Sequence, residues 1–138
     1  MSALRLIGAT EAPLLARRYY SGGDPGPLVA ALAHVPEVLE VAMPFLGTIL
    51  GPSSIPMRTK EIVILRTSAL AGCSYCVAAH TAVALDTGLG REEIVALRCA
   101  ASVADAFTSP ADVALLAWVD AVAGPGPIPA AVAERFQL

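Results

Sequence analysis

The chain has 138 residues, of which 56% are hydrophobic, 15% charged and 5% aromatic, with a formal net charge of −3. That length suits one domain, expected over residues 1–138, or one subunit of an assembly. Scattered Lys and Arg in a net-acidic chain provide no phosphate-binding stripe, which excludes nucleic acid as the expected partner, and three cysteines are too few for a secreted disulfide framework.

Arg5, Glu11 and the pair Arg17-Arg18 precede any apolar run of signal-peptide length, and none follows the arginine pair. Neither a signal peptide nor a twin-arginine export signal is expected, and the expected compartment is the cytoplasm. A Gly/Pro loop over residues 22–27 ends at Pro27, a good first helical residue for a short helix over Leu28–Ala33. Pro36 opens a second helix to about Leu50, where Gly51-Pro52 stops it. Its clean apolar stretch, Val41 to Leu50, is far short of the ~20 residues a membrane span needs, so no membrane association is expected.

Pro56 starts the next helix, in which Glu61 is followed by Ile62, Val63, Ile64 and Leu65 with almost no polar face. Such a helix belongs in a core or at an interface. After Ala71-Gly72 comes a helix from Cys73 to Asp86, expected to be buried, with Gly88 as its C-terminal cap. Gly90 to about Ala101 forms another, with Glu92 and Glu93 in its first turn where the helix dipole favours acids. Ser109, Pro110 and Asp112 are an N-cap, a first-turn proline and an early acid, which predict a helix to about Ala123. A last short helix is expected over Ala130–Phe136. No segment alternates at period two, so the fold class is all-α. The apolar excess makes a homo-oligomer the expected state.

Glu61, eleven residues, Cys73-Ser74-Tyr75-Cys76, three residues and His80 form the constellation that carries chemistry. On a helix Cys73 and Cys76 are i,i+3 and Cys76 and His80 are i,i+4, spacings that bring side chains to about 5–6 Å at Cβ on one face. Cys73, in the first turn, meets free N–H groups and the dipole, which favour a thiolate. His80 is placed to act as base toward Cys76, and Glu61 on the preceding helix is the candidate to orient it. A carboxylate ahead of an apolar run is costly to bury unpaired, and His80 relieves that cost. Arg66 competes for Glu61 but at i+5 points away. Other readings stand beside this one: His80 as a satisfied core residue, Glu61 as a simple N-terminal helix charge, and zinc held by both thiolates, His80 and either Glu61 or water. Structural zinc usually takes a second ligand pair from another segment, and the chain has none. Cys99 reads as a small buried hydrophobe, His34 as incidental, and Tyr75 as lining the helix start or shaping substrate access.

Met57-Arg58-Thr59-Lys60-Glu61, Ile64-Leu65-Arg66, Cys73-Ser74-Tyr75-Cys76 and His80 resemble the signature of the carboxymuconolactone decarboxylase-like superfamily, specifically its alkylhydroperoxidase D branch. The core motif spans residues 57–88, and a weaker likeness runs from about Gly26 to Asp120. The resemblance implies an all-helical domain that assembles as trimers or hexamers; the short connection makes the motif's two helices an expected antiparallel pair, and no bound cofactor or metal is expected. It implies that Cys76 attacks a small hydroperoxide and that Cys73 closes the disulfide and exchanges with a dithiol donor, a lipoyl-bearing or thioredoxin-like protein. Glu61 and His80 match the branch's proton relay. The branch's peroxidase has a histidine where this chain has Tyr75, and relatives usually carry a further C-terminal helix beyond the position of Leu138. The resulting expectation is a thiol-dependent peroxidase or disulfide reductase. Its rivals are a decarboxylase-type lyase on a small lactone acid and a non-enzymatic zinc or redox-sensing module.

Overall fold

Proline and glycine set most helix boundaries in the computed structural model, which describes residues 4–99 and 103–135. Seven α-helices run in order among these residues: α1 Pro27–Leu32, α2 Pro36–Leu50, α3 Met57–Leu70, α4 Ser74–Asp86, α5 Arg91–Arg98, α6 Pro110–Ala123 and α7 Ala130–Glu134. Short 3-10 helices supplement them, no strand occurs among the described residues, and the protein is all-α. Pro27, Pro36 and Pro110 each occupy a first-turn position where a missing N–H costs nothing. The Ser109 hydroxyl accepts from the Asp112 N–H at 3.4 Å, as an N-cap should.

The described helices depart from expectation at three places. Leu14–Tyr20 is a 3-10 helix that the sequence pattern does not announce. Helix α5 ends at Arg98 rather than near Ala101, because Cys99 turns extended and its carbonyl accepts from Arg66 Nη1 at 2.7 Å. A tertiary hydrogen bond there replaces the next helical one. Helix α7 ends at Glu134, and Phe136 lies outside the described residues.

The chain divides into two compact units, residues up to Ser53 and residues from Ser54 onward. In the first, Ile7, Ala12, Ala16, Val29, Ala33 and Leu39 form the core. The Tyr20 hydroxyl donates to the Ile7 carbonyl at 2.8 Å, and His34 Nε2 bonds the Arg5 carbonyl at 2.6 Å. His34 thus fastens the N-terminal segment.

In the second unit, α3 packs against α4, α5 and α6. Ile62 and Leu65 are fully buried, together with Ala84, Leu89, Ile94, Leu97, Val103, Phe107 and Leu116. Each large apolar side chain buried this way stabilises the fold by about 1.5–3 kcal/mol. Two arginines of α3 add directional ties. Arg58 reaches Glu93 of α5 at 2.6 Å and Asp112 of α6 at 2.7 Å. The Asp112 hydrogen bond raises its guanidinium above the ordinary arginine value. Arg66, 3% exposed, makes a two-pronged pair with Asp120 at 2.6 and 2.9 Å. Its direction away from Glu61 follows from the i+5 spacing. The apolar face of α3 is therefore central, as its pattern predicts. Helix α4 is not: of its residues only Ala84 is buried, because α4 presents one narrow strip to the core and leaves Tyr75, Val83 and Leu85 exposed.

Candidate active site

The site begins with a glycine. Gly72 has φ +66°, the left-handed region in which a Cβ is strained. Its N–H bonds the Ala69 carbonyl at 3.1 Å, and the Cys73 N–H bonds the Ser68 carbonyl at 2.9 Å. These two bonds satisfy the end of α3 in a Schellman motif. The residue that completes this stop, Cys73, is also the N-cap of α4, where its Sγ accepts from the Cys76 N–H at 3.3 Å. One tight connection thus ends a helix, starts the next and presents a cysteine in the field of free N–H groups.

Cys73 and Cys76 are joined as a disulfide, with Cα atoms 5.4 Å apart. The hairpin folds α4 back along α3 so that His80 meets Glu61. His80 Nδ1 lies 3.1 and 3.2 Å from the two Glu61 carboxylate oxygens. A carboxylate only accepts, so Nδ1 carries the proton and donates, and Nε2 of the neutral ring is the basic nitrogen. Glu61 is 1% exposed and is held by a partner of complementary kind, while the His80 side chain keeps 23% of its surface open. The arrangement is a disulfide with an oriented imidazole one helical turn beyond Cys76.

A cleft of about 510 Å³ opens beside the disulfide, on the side of Cys73. Ser68, Cys73, Val77, Val95, Arg98 and Cys99 are among its lining residues, whereas Cys76 and His80 are not. Cys99 is therefore an exposed thiol at a cleft edge and not the buried hydrophobe expected. Its position follows from the early end of α5: once the backbone turns extended, the side chain leaves the helix face that packs into the core. Tyr75 is half exposed at the start of α4.

All four sequence-predicted site residues thus stand on the α3–α4 hairpin, with His80 against Glu61 and Cys73 bonded to Cys76. Sequence reasoning missed the partners that hold the hairpin's first helix: Glu93, Asp112 and Asp120. The available signal was the pair Arg58 and Arg66 on an apolar helix, since a buried guanidinium demands an acid. Among the described residues no three His, Cys, Asp or Glu side chains are grouped to hold a metal ion, and no helix is long and apolar enough to cross a membrane.

No curated protein and no solved structure matches the chain. A family model does, over residues 36–125, from the start of α2 to just beyond α6 and through the whole hairpin. On that match the chain belongs to the carboxymuconolactone decarboxylase family.

Proposed function

We propose that this protein is a thiol-dependent hydroperoxidase or disulfide reductase, akin to the family's alkylhydroperoxidase D branch. The observation that carries the reading is the buried Glu61 carboxylate holding His80 at 3.1 Å, on the helix whose first turn bears the Cys73–Cys76 disulfide. In the reduced enzyme, His80 Nε2 takes the Cys76 thiol proton and Glu61 stabilises the imidazolium. The thiolate attacks the terminal peroxide oxygen. The O–O bond breaks, the alcohol leaves with a proton, and Cys76 becomes a sulfenic acid. Cys73 condenses with it, expelling water and forming the disulfide seen here. A dithiol donor, lipoyl-bearing or thioredoxin-like, restores both thiols by exchange. Such a cycle suits the cytoplasm, where dithiols are kept reduced. The exposed apolar residues of α4 and α2, among them Leu85, Val41 and Phe45, favour assembly into a trimer or hexamer.

Peroxide consumption with a dithiol reductant tests the cycle. Cys76→Ser should abolish turnover and Cys73→Ser should stop it after one sulfenic acid equivalent per chain. Full turnover by Cys76→Ser refutes the assignment. A lyase reading draws on the same Glu61–His80 pair for proton transfer to a small lactone acid. In that case Cys76→Ser keeps lyase activity while His80→Ala loses it.

A further inference from the structure

The cleft on the Cys73 side has properties that the peroxide chemistry does not use. Of the two disulfide cysteines only Cys73 lines it. Ser68 lines it while 8% exposed, and its hydroxyl has no hydrogen-bond partner among the described residues. The Ser68 oxygen is not itself fully buried, so it is a polar group that a molecule in the cleft can reach. Arg98 supplies a cation at the cleft, and its guanidinium meets no carboxylate among the described residues. Val77, Ala78 and Val95 provide apolar wall, and the volume is that of a small-molecule pocket.

Resting on the redox reading above, we propose that this cleft is a second port for reductants, beside the dithiol donor, and that it selects a small thiol bearing a carboxylate. The carboxylate meets Arg98, the chain lies on the valine wall, and Ser68 hydrogen-bonds a polar group along it. The thiolate is thereby delivered to Cys73. It attacks Cys73 Sγ, a new S–S bond forms, and the Cys73–Cys76 bond breaks with its electron pair leaving on Cys76. The proton that the attacking thiol lost on ionising passes to the Cys76 thiolate through His80 Nε2, one turn away. A second thiol of the same class attacks the sulfur of the bound molecule and releases Cys73 as thiolate. The products are one external disulfide and the reduced enzyme, two electrons having passed from two thiols to the protein.

The test is single-turnover reduction of the oxidised full-length protein by 3-mercaptopropionate, 2-mercaptoethanol and cysteamine, with rates expressed per thiolate. Beyond the difference that thiolate basicity sets, the acidic thiol should gain about five-fold over the neutral one, the scale of an exposed ion pair. The net charge of −3 would by itself produce the opposite order. Arg98→Gln should lower the acidic-to-neutral rate ratio about five-fold, leaving the spread that thiolate basicity sets, and added salt should lower that ratio in the wild type. A wild-type acidic-to-neutral ratio no larger than thiolate basicity sets, a ratio unchanged by Arg98→Gln, or no reduction by any of the three overturns the proposal. Peroxide turnover driven by dithiothreitol is measured in parallel. If it persists while charge selectivity is absent, the port is wrong and the peroxidase reading stands; if it is absent while selectivity persists, the reverse holds.

Discussion

His80 and Glu61 divide one task between them. In the proposed cycle the imidazole accepts a thiol proton at Nε2, and the carboxylate fixes which nitrogen is free to do so by accepting from Nδ1 at 3.1 Å. Because the carboxylate is 1% exposed, water screens the contact little. Replacing His80 by Ala should slow oxidation of the reduced cysteine pair by peroxide about 100-fold or more, the usual worth of a positioned base. Glu61→Gln keeps size and one acceptor but no longer favours the imidazolium, so its rate should fall between the two. The half-reaction is followed as thiol loss under stopped flow, which separates it from reductant exchange. If Glu61→Gln matches wild type, Glu61 holds the hairpin together without tuning the base.

At the scale of elements, the Gly72 turn is the device that makes the site. Gly72→Ala places a Cβ in the left-handed region but finds open space around it, so the cost is backbone strain alone, about 1 kcal/mol. Gly88 has φ +89° and open space too, and it closes α4 with the same pair of bonds, from Gly88 N–H to Leu85 and from Leu89 N–H to Ala84. Gly88→Ala should therefore destabilise by a similar amount. Only Gly72→Ala should also slow disulfide formation, because only that turn carries a cysteine. Equilibrium urea unfolding and the thiol assay together check both halves.

The same turn explains what was legible in sequence. Pro27, Pro36, Pro110 and the caps Ser109 and Gly88 act locally, so helix starts and stops near them could be read directly. The Cys73, Cys76 and His80 spacing is likewise local, and Glu61 came within reach because the connection between the two helices is only three residues long. What could not be read were features fixed at a distance. Arg66, by bonding the Cys99 carbonyl, ends α5 early and turns a residue expected to be buried into a cleft residue. The 3-10 helix Leu14–Tyr20 has no period that marks it, and it is held by Ala16 in the first unit's core and by Tyr20 on Ile7.

For the whole molecule, the outstanding fact is apolar surface. Helix α2 leaves Val38 46%, Val41 69%, Phe45 62% and Ile49 47% exposed, at spacings of three and four that place them along one side of the helix. Two or three large apolar groups in water are ordinary, but an aligned row is the kind of surface on which the proposed oligomer would form. Burying Phe45 and Val41 at an interface would contribute about 1.5–3 kcal/mol each. Charging both, as Val41→Glu with Phe45→Glu, should leave the fold intact because neither side chain is in the core, and should dissociate the assembly. Light scattering coupled to size exclusion is the measurement: a multiple of the chain mass for wild type and a single chain mass for the double variant, with unchanged helical circular dichroism. A monomeric wild type would refute the oligomer, and an undissociated variant would place its interface elsewhere, with the exposed face of α4 at Val83 and Leu85 the next surface to charge.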